Sequence, residues 1–232
     1  MDLLAEAMRE AIRLITTGDS DVYGITARTL AVTATSTLVA MLIGLPIGFA
    51  LALMNFPGRR ALVTLANAGT GAPPVIAGLA VSIMLWRSGP LGWMGLIYTP
   101  AAIVIAQAMI ATPIIVAVSA AALMALPPHL RLQLRAMGAN DAQYLWLLAR
   151  EARLSLLIAI IAGFGAVVSE VGASMMVGGN IAGETRLLTT AAVVEVSRGH
   201  FGTALAFGFI LLALIVAVSV VLTAVQQRAR RT

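Results

Sequence analysis

The chain has no cysteine and no lysine; all fifteen of its basic residues are arginine. The first absence excludes disulfides, thiolate chemistry and cysteine-ligated metals. The second excludes a Walker-type phosphate loop, whose lysine reaches the nucleotide phosphates, so the chain is not itself a P-loop ATPase. Histidine is scarce: His129 and His200 stand far apart, and a metal site is not expected. Charge is scarce too, at 11% of 232 residues, where a soluble domain carries about 25%. No serine, histidine and acid are spaced to act together, so no catalytic residues are expected.

Apolar residues are abundant, at 60%, with a mean hydropathy of +0.97. That composition describes an all-α integral membrane protein. Five runs reach the roughly 20 residues needed to cross a bilayer: 26–54, 61–86, 98–126, 154–177 and 203–225. None holds an arginine away from its ends, as expected when a charge at a helix centre costs roughly 2.5–3.5 kcal/mol. The isoelectric point near 11 invites a nucleic-acid reading, but the arginines are dispersed at the ends of apolar runs. That is a pattern of membrane topology, and no nucleic-acid partner is expected.

The charges give an orientation. With the N-terminus outside, the inner loops and tail hold Arg59, Arg60, Arg131, Arg135, Arg150, Arg153, Arg228, Arg230 and Arg231, against Asp141 and Glu151. The outer side holds six arginines against seven acids. The excess of arginine inside sets the C-terminus in the cytoplasm. Before the first span, residues 1–18 read as an interfacial helix with Leu4, Met8, Ala11, Ile12 and Ile15 on one face and Gly18 as its terminator. The acidic start and the lack of an uninterrupted apolar core argue against a signal peptide.

Several spans carry helix breakers. Gly44, Pro46 and Gly48 interrupt the first; Gly69, Gly71, Pro73, Pro74 and Gly78 cluster in the second; Pro113 sits midway along the third. A proline frees a carbonyl that neighbouring helices, water or a cavity must satisfy in lipid. Packing alone accounts for some of these kinks, yet Pro73 and Pro74 stand in a cluster denser than packing requires and are candidates for the lining of a path. Glu170 lies sixteen residues past Leu154, about 24 Å along a helix. At that depth its carboxylate must face protein or water. It either fixes an outer gate through hydrogen bonds or binds a translocated cation; the lack of a second intramembrane acid or histidine for a relay favours the gate. Residues 175–198 read as a broken, partly re-entrant segment on the outer face.

Residues 127–153 form a polar, arginine-bearing loop between two spans, with Gly138 in Met137-Gly138-Ala139-Asn140-Asp141. A basic loop of that length lies on the cytoplasmic side and contacts something soluble. It resembles the cytoplasmic coupling loop of type I ABC importer permeases, Glu-Ala-Ala, three residues, Gly, nine residues, Ile-x-Leu-Pro. Gly138 matches the glycine, while the flanking slots fall on Leu132-Gln133-Leu134 and Leu148-Ala149-Arg150-Glu151, which depart from the pattern. The stretches Pro73-Pro74-Val75-Ile76-Ala77-Gly78 and Arg87-Ser88-Gly89-Pro90-Leu91-Gly92 are similar to the oxyanion branch of these permeases, which carries molybdate, tungstate or sulfate. So are Ser169-Glu170-Val171-Gly172-Ala173-Ser174-Met175-Met176-Val177-Gly178-Gly179-Asn180 and the residues through Arg186, which look most like a tungstate permease. The similarity spans residues 26–225.

The resemblance implies a type I ABC permease fold and a homodimer with the path on its two-fold axis. It implies a separate ATP-binding subunit that uses ATP and Mg, an extracytoplasmic oxyanion-binding protein, and no cofactor on this chain. Coupling residues would be Ala136, Gly138, Ala139, Asn140 and Asp141, on a short helix over 136–145. Path or gate residues would be Pro73, Pro74, Glu170, Ser174 and Asn180. Two other classes compete: a secondary transporter, which wants coupling-ion ligands and internal repeats, and a non-transporting membrane subunit, which does not need broken spans.

Overall fold

The computed structural model describes residues 2–16 and 20–231. Among them the regular structure is helical: α1 (Asp2–Thr16), α2 (Ser20–Leu53), α3 (Arg59–Thr70), α4 (Pro74–Leu85), α5 (Pro100–Met124), α6 (Pro128–Ala136), α7 (Asp141–Glu151), α8 (Arg153–Val168), α9 (Gly172–Gly178), α10 (Leu188–Ser197) and α11 (Phe201–Arg231), with one 3₁₀ turn at Gly92–Met94. Three helices, α2, α5 and α11, are long and apolar enough to cross a membrane unbroken. Two bent pairs, α3 with α4 at 104° and α7 with α8 at 72°, reach that length and apolarity only when each pair is taken together. Five spans therefore fit only if each bent pair counts once. The expected interruption of the first span at Gly44, Pro46 and Gly48 is corrected: α2 runs through Pro46 as one helix, as α5 does through Pro113, because neighbouring helices can take up the carbonyl a proline frees.

The expected second span, 61–86, is not one helix. Gly71 ends α3, and Pro73 and Pro74 supply the N-cap and first residue of α4. Proline cannot continue α3 but suits a helix start, where its missing N–H is one fewer donor to satisfy. The expected fourth span, 154–177, is likewise divided at residues 169–171 into α8 and α9. The expected re-entrant segment is made of α9, a turn and α10.

The centre of the fold is α2 against α5, with α8 packed beside them. Gly44 and Gly48, one helical turn apart on α2, let it approach Ile115 and Ser119 of α5. Small residues at this spacing substitute close backbone packing for a hydrophobic driving force that lipid does not supply. Arg59 Nε donates to the Leu51 carbonyl at 2.6 Å and Arg131 Nη2 to that of Leu123 at 2.7 Å. Two arginines read as topology markers thus also cap the C-termini of α2 and α5, where carbonyls are left over and positive charge is favoured.

The N-terminal helix packs mainly along α11, burying Leu14 with Ala206, Phe207 and Ile210. Of its expected apolar face, Met8 and Ile12 are exposed. Gly18 and the side chains of Leu4, Ala11 and Ile15 lie outside the described residues.

Candidate functional site

The two helix breaks are neighbours, because α4 packs on α9. The backbones come close: a Cβ added at Gly78 would lie 2.6 Å from the Cα of Ala173. The first break borders a cavity of about 480 Å³, lined by Gly69 to Pro74, by Met109 and Pro113 of α5, and by Ala166 of α8. Pro73 and Pro74 therefore face open space.

The second break would strand backbone groups in the bilayer, where each costs several kcal/mol. Side chains from distant helices take them up. Gln107 of α5 donates through Nε2 to the Val167 carbonyl and to Ser174 Oγ, both at 3.3 Å, and accepts from Ser36 Oγ of α2 at 2.9 Å. All three side chains are buried. Glu170 Oε1 accepts from the Ala173 amide at 2.9 Å, so the carboxylate caps the first turn of α9, where a helix end favours negative charge. Thr189 Oγ1 donates to the Glu170 carbonyl at 3.2 Å. Glu170 thus bonds to the start of α9 through its side chain and to α10 through its carbonyl.

Past α9, Asn180 holds a left-handed backbone (φ 51°), and its Oδ1 is buried with no partner. Thr185 Oγ1 donates to the Gly178 carbonyl at 2.5 Å and accepts from the Ile181 amide at 2.8 Å, closing the turn on itself. Thr29 of α2 accepts from the Leu188 amide at 3.0 Å, and Arg28 reaches the carbonyls of Gly183 and Arg186. Outside the spans, at the end of α10, Glu195 is held below the usual carboxylate range by a hydrogen bond from His200, with burial opposing and Arg198 adding to the effect.

The structure brings Glu170 and Ser174 together at one break and sets Pro73 and Pro74 at the adjoining one. It places the coupling residues elsewhere, and there it corrects the expected 136–145 helix. Ala136 ends α6, and α7 begins at Asp141. Between them Gly138 adopts φ 79°, with the Ala139 amide bonded back to the Leu134 carbonyl at 3.2 Å. This is a Schellman-type helix ending, which glycine permits without a Cβ penalty. Asn140 and Gln143 form a reciprocal cap on α7, and Asp141 pairs with Arg135 at 2.8 Å. Leu132, Met137 and Trp146 are exposed around this turn. Gln107, Ser36, Thr29 and Arg28 went unmarked in the sequence; the available signal was a polar side chain inside an apolar run.

The capping role of Glu170 has a direct test. Glu170→Gln keeps an acceptor for the Ala173 amide, whereas Glu170→Ala leaves that donor unpaired at about 1–3 kcal/mol. The expected result is a melting temperature in detergent near wild type for Gln and clearly lower for Ala. Equal losses would assign the effect to the charge.

Fold and site describe a multi-pass membrane protein in which two broken helices pack on each other, with buried polar side chains holding the second break and an exposed helix–turn–helix on another part of the chain. The sequence profile of the binding-protein-dependent transport system inner membrane component family matches residues 44–231, and the chain belongs to that family. It is 38% identical over 200 residues to a probable anion ABC transporter permease protein of Haloferax volcanii, covering 84% of this chain and 86% of the other. It is 34% identical to the tungstate uptake system permease protein TupB of Peptoclostridium acidaminophilum, over 98% of this chain and all of the other. In fold it is similar to a chain of the MetNI methionine ABC transporter in inward-facing conformations, with a TM-score of 0.73 at 23% identity, over 87% of this chain and 93% of that one.

Proposed function

We propose that the chain is the permease subunit of an ATP-driven importer and forms the path for an oxyanion, tungstate before molybdate. The observation that carries this reading is the full-length similarity to a tungstate uptake permease, supported by two adjoining helix breaks, one lining a cavity and the other with its freed groups satisfied from within. A second copy completes the path at a two-fold axis. A separate ATP-binding subunit hydrolyses ATP with Mg, and an extracytoplasmic binding protein delivers the anion. The N-terminus lies outside and the C-terminus in the cytoplasm; an external signal from a reporter fused after Thr232 contradicts that orientation. On this reading α1 is the interfacial helix of the outer face, and 127–153 is the coupling segment.

The decisive experiment is reconstitution with the ATP-binding subunit and binding protein in proteoliposomes. ATP-dependent tungstate uptake is expected. Uptake driven by a proton or sodium gradient without the ATPase would establish a secondary transporter instead.

Gly138 carries the coupling prediction. A Cβ there meets nothing within 4 Å in this chain, so within the chain only the backbone conformation disfavours a side chain, and the further limit would come from the subunit that docks on the turn. The left-handed conformation costs a residue with a Cβ roughly 1–2 kcal/mol, and asparagine least among them. Gly138→Leu is expected to insert normally but to lose ATPase association or the link between hydrolysis and uptake, and Gly138→Asn to keep part of both. Wild-type association and uptake in Gly138→Leu would refute the docking role.

A further inference from the structure

Arg28 is the only arginine in α2, and its side chain is half-buried. Its guanidinium spans the turn between α9 and α10. Nη2 donates to the Gly183 carbonyl at 2.6 Å and Nη1 to the Arg186 carbonyl at 3.1 Å. The next residue, Thr29, holds the Leu188 amide. Two consecutive residues of α2 thus fasten the 183–188 segment. Arg186 is also half-buried, and its Nε is buried without a hydrogen-bond partner.

Among the described residues neither Arg28 nor Arg186 belongs to an ion pair. Glu184, the acid nearest to Arg186 in sequence, is exposed and makes an ion pair with neither arginine. Both side chains are only half-buried and keep access to solvent, so an arriving anion would meet two cations without first breaking an ion pair, and the turn leads into α10, whose Thr189 donates to the Glu170 carbonyl. The acceptors now on Arg28 are neutral carbonyls. A tetrahedral dianion offers two acceptors in the fork geometry a guanidinium matches, with opposite charge added, and such pairs are shorter and stronger.

We propose that Arg28 is a latch on the 183–186 turn that a divalent oxyanion releases, with Arg186 as the second cation that receives the anion. The proposal rests on the oxyanion-importer reading. When the anion takes the Arg28 guanidinium, the carbonyls of Gly183 and Arg186 lose their donor and the turn loosens, so arrival of cargo and opening of this part of the gate become one event. The coupling is a competition for the same N–H groups, and any ligand lacking two acceptor oxygens and negative charge leaves the latch shut.

The absence of cysteine gives the test. Ala182 is exposed on the turn, so Ala182→Cys introduces a unique thiol; Ile181→Cys, also exposed, serves if the first variant does not accumulate. Maleimide labelling is timed in the full permease–ATPase complex, without binding protein, in sodium tungstate or molybdate against sodium chloride at equal ionic strength. The oxyanions are expected to speed labelling about tenfold, equivalent to about 1.4 kcal/mol. Adding Arg28→Gln should make labelling fast in chloride and insensitive to oxyanion, and adding Arg186→Gln should raise the oxyanion concentration needed by about tenfold. Oxyanion-insensitive labelling in a complex that still performs ATP-driven tungstate uptake overturns the latch and leaves the importer reading standing. An unaltered oxyanion response with Arg28→Gln also overturns it. A wild-type complex that takes up no oxyanion even when reconstituted with its binding protein overturns the importer reading and this site with it.

Discussion

Gly78→Leu is expected to reach the membrane and then to lose nearly all uptake. A Cβ at residue 78 would sit 2.6 Å from the Cα and 2.9 Å from the Cβ of Ala173, and 3.2 Å from the sulfur of Met176. The methionine is able to move; the backbone of α9 is not. The two helices must separate, at a typical cost of roughly 1–3 kcal/mol for overpacking. The functional loss should exceed what that figure suggests, because α4 begins at the first break and α9 follows the second, so their close approach here sets the relative position of the breaks. Gly78→Ala should show a smaller version of the same defect. Adding Ala173→Gly to Gly78→Ala should rescue it in part, since the methyl group of residue 173 is removed while its backbone stays in the way. Melting in detergent and uptake in proteoliposomes read the effect, and wild-type values for Gly78→Leu would show that α4 and α9 do not pack so closely.

The second large effect is expected at Gln107. Gln107→Leu removes the donor to the Val167 carbonyl and to Ser174, and the acceptor of Ser36. Some of these groups keep a partner: the Glu170 amide still reaches the Val167 carbonyl and Ser36 still reaches that of Val32. The loss is therefore expected near 1–3 kcal/mol, about the penalty of a single unsatisfied buried group. Gln107→Glu should be worse. It keeps the size but places a charge or a mismatched acid among buried groups within the membrane. The expected order of melting temperature is wild type, then Leu, then Glu. A Leu variant as stable as wild type would show that the polar node does not hold the α8–α9 break.

Much of this site was legible in local sequence. Pro73 and Pro74 mark the first break because proline geometry acts on the adjacent residues whatever surrounds them. Gly138 marks a turn for a similar reason, although its surroundings are a helix end and a new helix, not the interior of one. Glu170 stood out as an acid in an apolar run. Its partner did not: the carboxylate caps the helix that follows it, a choice set by where α8 stops.

Composition and pattern alone determined that the chain is a helical membrane protein with no cysteine or P-loop chemistry, and that a helix breaks at Pro73 and Pro74. These are properties of single residues and of their neighbours along the chain. The absence of a break at Pro46 and the break at residues 169–171 were not legible there. The tertiary structure decided that Gln107 reaches Val167 sixty residues away, that Arg28 holds carbonyls at residues 183 and 186, and that Gly78 lies on Ala173. The spans are apolar nearly all round, so their sequences carry no stripe to say which face meets which helix. That register is fixed only when small residues and polar side chains on different helices come together, and in lipid such meetings, not a hydrophobic drive, decide the packing.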